Sequence, residues 1–165
     1  MSCFSRHKQN AARLLLDQKQ TISVAESSTG GLIAASLLSV PGASRYFMGG
    51  TVIYTIKSRR AFLELDRERI KHLEPLTEDM VMEFARATRK KLETTWGIAE
   101  LGVAGPDSTP YSDETGVSVI VLSGPVDKAI TVRTGHNDRE KNMHELTDSA
   151  MQLIVSTLVE LHESA

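Results

Sequence analysis

The chain has 165 residues, of which 41% are apolar and 24% charged, and 19 basic against 21 acidic side chains leave a formal net charge of −2. These values describe one globular domain over residues 1–165, and they exclude disorder, collagen-like repeats and coiled coil. The missing basic excess speaks against nucleic acid as a partner. A lone Cys3 excludes an internal disulfide, and no apolar run approaches the roughly 20 residues that span a bilayer, so no membrane partner is expected.

In chain order, Ser5–Asp17 has the spacing of a helix, with Ser5 as its cap and Ala11, Ala12, Leu14, Leu15 and Leu16 on its apolar face. The polar opening residues carry no signal peptide, which makes the cytoplasm the expected location. Thr21–Glu26 alternates and is β-rich, so it predicts a strand. Thr29-Gly30-Gly31 opens a helical pattern over Leu32–Ser39, which Pro41-Gly42 stops. Phe47–Tyr54 is a second strand, and Ser58–Leu65 a short helix. Thr77 begins a long helix with Glu78 and Asp79 in its first turn and Arg89, Lys90 and Lys91 near its end, both biases favourable to the helix dipole. After Trp96 the period changes, and 98–103, Val117–Leu122 and Ala129–Arg133 read as strands. Arg139–Glu160 closes the chain as an amphipathic helix. Interleaved helices and strands followed by a run of strands predict an α/β fold. The expected form is a three-layer α/β/α sandwich with a mixed sheet of about five to six strands.

Three segments have the composition of ligand loops. Glu26-Ser27-Ser28-Thr29-Gly30-Gly31 lies between a strand and a helix. Unpaired amides at a helix start, close-approach glycines and hydroxyl donors hold phosphates and carboxylates. The competing reading of the same residues is an N-cap and a turn. Gly102–Pro110 follows another strand, and Gly105, Pro106, Ser108 and Thr109 describe a backbone able to wrap a ligand or merely a surface loop. Tyr54 and the basic residues at 57, 59 and 60 could assist a nucleophile such as Ser27, or form a solvated charge run. Arg139, at the start of the last helix, could reach an anion. The histidines at 7, 72, 136, 144 and 162 do not cluster, and His144-Glu145 followed by Asp148 falls one ligand short of the HExxH pattern, so no metal site is expected. Ser27 does not sit in G-x-S-x-G.

Taken together, the motifs resemble a known family. VAESSTGGLIAASLLSVPGAS (24–44) resembles the TAESCTGG-L-x-A-x-x-L-T-x-x-PG-S signature of the CinA C-terminal family. GGTVIYTIKSRRAFL (49–63) is similar to its G-x-V-x-Y-S-N-x-x-K-x-x-x-L, and GVAGPDSTPYSDETG (102–116) to its G-I-A-GP-GG-x-TP-x-K-P-x-G. The resemblance implies a nicotinamide mononucleotide amidohydrolase that forms nicotinate mononucleotide and ammonia, needs no cofactor, takes a small nucleotide substrate and self-associates. It implies Ser27 as nucleophile and Tyr54 beside it, with Arg59 standing at the position of the family lysine. Ser28, Thr29, Gly30, Gly31, Gly105, Pro106, Ser108, Thr109 and Arg139 are then the expected substrate-binding residues. Ser28 replaces the family cysteine, Ile56 its asparagine, Arg59 its lysine, Asp107-Ser108 its Gly-Gly, and Asp113-Glu114 its Lys-Pro. A non-catalytic relative that binds a nucleotide or phosphate is the alternative these departures imply.

Overall fold

A computed structural model describes residues 3–110 and 112–164. The elements run α1 (Cys3–Gln18), β1 (Ile22–Glu26), α2 (Leu32–Leu38), β2 (Phe47–Val52), α3 (Ile56–Leu63), α4 (Arg67–Ile70), α5 (Glu78–Leu92), β3 (Trp96–Val103), β4 (Val117–Ser123), β5 (Lys128–Arg133) and α6 (Arg139–Glu163). The strands form one mixed sheet in the order β2-β1-β3-β4-β5. The first three strands in that order are parallel, and β4 and β5 continue antiparallel. The α/β class and mixed sheet are as expected, and the strand number among the described residues is five.

Each face of the sheet has its own core. On one face α1, α2 and α6 cover Ile22, Val24, Ile98, Ile120 and Leu122. On the other, α5 and α3 cover Ala25, Ala99, Leu101, Val119 and Val121. Burial on both faces explains why β3 and β4 read as continuous runs rather than alternating ones. The edge strand β2 alternates between half-buried and exposed instead.

Several boundaries move, for local reasons. The backbone helix of α1 starts at Cys3, so Ser5 lies inside it and is not its cap. The helix expected from Ser58 starts at Ile56, because Thr55 is the cap: its hydroxyl accepts from the Ser58 amide at 3.1 Å, and the Ser58 hydroxyl accepts from the Thr55 amide at 2.9 Å. That reciprocal pair also ends β2 at Val52 rather than at Tyr54. The short α4, not foreseen, is capped by Asp66, which accepts from the Glu68 amide at 3.0 Å. Strand β3 begins two residues early because Trp96 is already in register with Ile22.

Candidate active site

β1 and β3 are neighbours in parallel register, which sets Glu26 beside Glu100. Both carboxylates are buried. A buried carboxylate must be hydrogen-bonded, and these take their donors from the loop that follows β1, the start of α2 and Ser118 of β4. Glu26 Oε1 accepts from the Thr29 hydroxyl at 2.7 Å, the Gly31 amide at 2.8 Å and the Ile33 amide at 3.1 Å, and its Oε2 from the Ala34 amide at 2.9 Å. Glu100 Oε2 accepts from the Ser27 amide at 2.9 Å, the Thr29 amide at 3.2 Å and the Thr29 hydroxyl at 3.1 Å. Glu100 Oε1 takes the Ser28 hydroxyl and, at 2.8 Å, that of Ser118. Burial pushes the Glu26 carboxyl above the ordinary carboxylate range, opposed by its bonds from Thr29, Ala34, Ile33 and Gly31.

The amides of α2 therefore face the chain's own Glu26, which stands where an external anion at that helix end would sit. Gly30, at φ +65°, donates its amide to the Ser27 carbonyl at 3.1 Å. A Cβ there would lie 3.0 Å from Met143 of α6, so the turn is both left-handed and tightly packed. Within this loop the Ser27 hydroxyl is different: it makes no hydrogen bond among the described residues, although the residue is only 3% exposed. The Ser28 amide is likewise without a partner among them.

The other two motifs are joined to each other by α6. Asp138 caps this helix by accepting from the Lys141 amide at 3.1 Å, which places Arg139 in the first turn. Arg139 donates through Nη1 to the Gly105 carbonyl at 2.6 Å and through Nη2 to the Tyr54 hydroxyl at 3.1 Å. One guanidinium thus ties the residue after β2 to the loop after β3. The buried Asn142, one turn on, donates through Nδ2 to the carbonyls of Ala104 and His136, both at 2.9 Å, and fixes the same loop from beneath. Gly105 needs its missing side chain, since φ is +86° and a Cβ would meet Asn137 and Thr115 at 3.2 Å. Its peptide bond to Pro106 is cis.

The remaining expected residues are more scattered. Pro106, Asp107 and Ser108 are exposed. The Thr109 hydroxyl is buried without a partner among the described residues, and its backbone pairs with Ser112. Tyr111, in the same motif, lies outside the described residues. Arg59 sets its guanidinium 5.4 Å from the centre of the Phe84 ring of α5. Glu114 is paired with Arg133 at 2.8 Å, which offsets one of the acidic charges in this loop. No three His, Cys, Asp or Glu residues gather as a metal-binding group among the described residues. No described helix is long and apolar enough to cross a membrane.

Sequence reading did not single out Glu26, Glu100 or Asn142 as the groups that build the site. Glu100 did carry a signal, as the one charge inside an otherwise apolar strand run. Asn142 carried none, because a polar residue in a first helical turn ordinarily faces solvent.

Comparison with known proteins agrees with this architecture. Residues 5–158 match the family model described as CinA C-terminal domain. A CinA-like protein of Gloeobacter violaceus is 34% identical over 146 residues, covering 87% of this chain and 34% of that protein. A CinA-like protein of Flavobacterium psychrophilum is 32% identical over 147 residues, 89% of this chain and 35% of that one. The chain thus spans about a third of the length of these curated relatives. Among solved structures, a competence-damaged protein (CinA) superfamily protein from Klebsiella pneumoniae superposes with a TM-score of 0.87 at 21% identity, covering 95% of this chain and 98% of the other. The competence/damage inducible protein CihA from Agrobacterium tumefaciens gives 0.86 at 20% identity, covering 94% and 96%. At these identities the solved structures speak to the fold.

Proposed function

Because the chain belongs to the CinA C-terminal domain family, the competence/damage-inducible group, we propose that it is a hydrolase of carboxamides. The substrate in this reading is nicotinamide mononucleotide, hydrolysed to nicotinate mononucleotide and ammonia with Ser27 as nucleophile. The observation that carries it is the unbonded Ser27 hydroxyl, in a loop whose other polar side chains are all bound by Glu26 and Glu100. With its neighbours held by the two buried carboxylates, that oxygen is left open to a ligand.

In the first step the Ser27 oxygen bonds to the carboxamide carbon and gives up its proton. The C–N bond then breaks, ammonia leaves with that proton, and water cleaves the resulting ester to return free Ser27 and the carboxylate. In this reading the Tyr54 hydroxyl relays the proton, taking it from Ser27 as it gives its own to the departing nitrogen, and Arg139, donating to it at 3.1 Å, holds it in place. The Ser28 amide is the candidate donor to the developing oxyanion, since the amides of Ser27, Thr29 and Gly31 are taken. Arg59 enters as a fixed positive charge, because a guanidinium does not release its proton at neutral pH. Gly105, Pro106, Ser108 and Thr109 form the wall opposite Ser27 in this reading. Thr29, Gly30 and Gly31 shape the loop that presents the nucleophile. The protein would work in the cytoplasm without a cofactor. It would pair with itself along β2, whose outer edge is unpaired and carries exposed Met48 and Val52.

The second reading is a nucleotide- or phosphate-binding protein without turnover, motivated by Ile56 and Arg59 where the family has asparagine and lysine; its anion would lie away from the α2 amides, which Glu26 fills. Ammonia release from nicotinamide mononucleotide separates the two. Release by the wild type that vanishes in Ser27→Ala supports the hydrolase. A ligand-dependent rise in Tm without ammonia supports binding alone and overturns the hydrolase.

A further inference from the structure

A cavity of about 280 Å³ opens between α3, α4 and α5, lined by residues outside the Ser27 loop and the Gly105 loop. Its floor is apolar, built from Ile70, Met80 and Phe84, the last two buried. Its rim carries four cations, Arg59, Arg60, Arg67 and Lys71, and no carboxylate. In a chain whose net charge is −2 this is a local excess of positive charge. A neighbouring ion pair cancels the Lys71 charge. Lys71 is held by Glu68 at 2.5 Å, and Arg69 turns outward to Glu83 at 3.0 Å. Arg60 and Arg67 form no ion pair among the described residues. Arg59 lies over the Phe84 ring, which is only 1% exposed, so the flat group the cavity offers is the Arg59 guanidinium backed by that ring.

Like charges are costly to hold together around an apolar floor, and an anion removes that cost. Guanidinium groups present forked donors that match phosphate and carboxylate oxygens. An apolar floor beneath such a rim rewards a ring more than a small inorganic ion, which would leave Ile70, Met80 and Phe84 uncovered. The volume lies at the lower end of small-molecule sites, enough for one ring and its acidic group. We propose that the cavity between α3, α4 and α5 is a binding site for a small aromatic anion, a ring bearing a phosphate or carboxylate. The ring lies against Ile70 and the Arg59 guanidinium, and the acidic group lies between Arg60 and Arg67. The site shares Arg59 with the hydrolase reading and is otherwise separate from it, since none of Ser27, Tyr54 and Arg139 lines the cavity.

Calorimetric titration of the full chain with phenyl phosphate, benzoate, inorganic phosphate and phenol tests this. The expected result is that phenyl phosphate or benzoate binds at least tenfold more tightly than either inorganic phosphate or phenol. The preferred one of the two identifies the acidic group. Arg60→Ala/Arg67→Ala, on exposed side chains, should weaken that binding at least tenfold, while Ser27→Ala leaves it unchanged. Equal affinity for inorganic phosphate would reduce the site to a general anion patch and overturn the proposal. So would equal affinity for phenol, unchanged binding in the double variant, or no binding at all. Loss of binding in Ser27→Ala would move the ligand to the other site and would equally overturn it.

Discussion

Glu26 and Glu100 lie side by side on paired parallel strands, and the Thr29 hydroxyl touches both, at 2.7 Å and 3.1 Å. A hydroxyl has one proton, so it cannot satisfy two carboxylates fully at once. Burial, for its part, pushes the Glu26 carboxyl up from its ordinary value.

That push fixes a pH dependence. With its folded pKa above the ordinary 4.5, Glu26 keeps its proton to higher pH in the folded state than in the unfolded one. Its contribution to stability is therefore complete below about 4.5 and is lost as pH rises through the folded value. Urea midpoints measured across this range should contain a component that falls with rising pH. In Glu26→Gln that component should be absent. A wild-type profile with the same slope as the variant's would contradict it.

Glu100 is the more structural of the two. Glu100→Ala removes the acceptor for the amides of Ser27 and Thr29 and the hydroxyls of Ser28 and Ser118, all buried. Unsatisfied buried donors of this kind cost about 1–3 kcal/mol each, so the loss should be at least about 3 kcal/mol in chemical denaturation.

Ser27 should separate activity from folding. Its hydroxyl makes no hydrogen bond among the described residues, so Ser27→Ala should change stability by less than about 1 kcal/mol. Ammonia release should fall on the order of 10⁴-fold or more. A variant that loses stability and activity together would instead mark Ser27 as a structural residue.

The Tyr54–Arg139 contact is exposed at the tyrosine, which is 56% accessible, so it should matter little to folding. Tyr54→Phe keeps the ring and removes the oxygen. Under the hydrolase reading it should lower kcat about 10²-fold, with Tm nearly unchanged. Arg139→Lys keeps the charge but cannot reach both the Tyr54 oxygen and the Gly105 carbonyl in the same forked way, and should recover only part of the rate.

Gly97 tests the seating of α5 on the sheet. A Cβ there would lie 2.3 Å from the Ala85 carbonyl oxygen and 2.8 Å from the Arg89 Cβ. Gly97→Ala should cost about 3 kcal/mol in denaturation, because helix and strand must move apart.

The order of helices and strands was legible in the chain because periodicity, caps and breakers act between residues a few positions apart. The α5 signals show this: Thr77, the acidic first turn and the basic last turn all act locally. The SSTGG loop was legible as a site for the same reason, through its glycines and hydroxyls. What those hydroxyls bond to was not. Glu100 reaches Ser27 across 73 positions, and Arg139 reaches Tyr54 across 85. Those contacts depend on which strands pair, in which register, and on where α6 begins after β5. The register of β1 against β3 turns two separate glutamates into one buried pair, and it fills the end of α2 with the chain's own carboxylate. That Arg59 lies over Phe84 was not legible along the chain either, because it depends on the Thr55 cap that sets the start of α3 and on α5 packing beside it. The sequence determined the elements and the chemistry available. The tertiary structure decided which polar groups hold the fold together and left the Ser27 hydroxyl without a bond among the described residues.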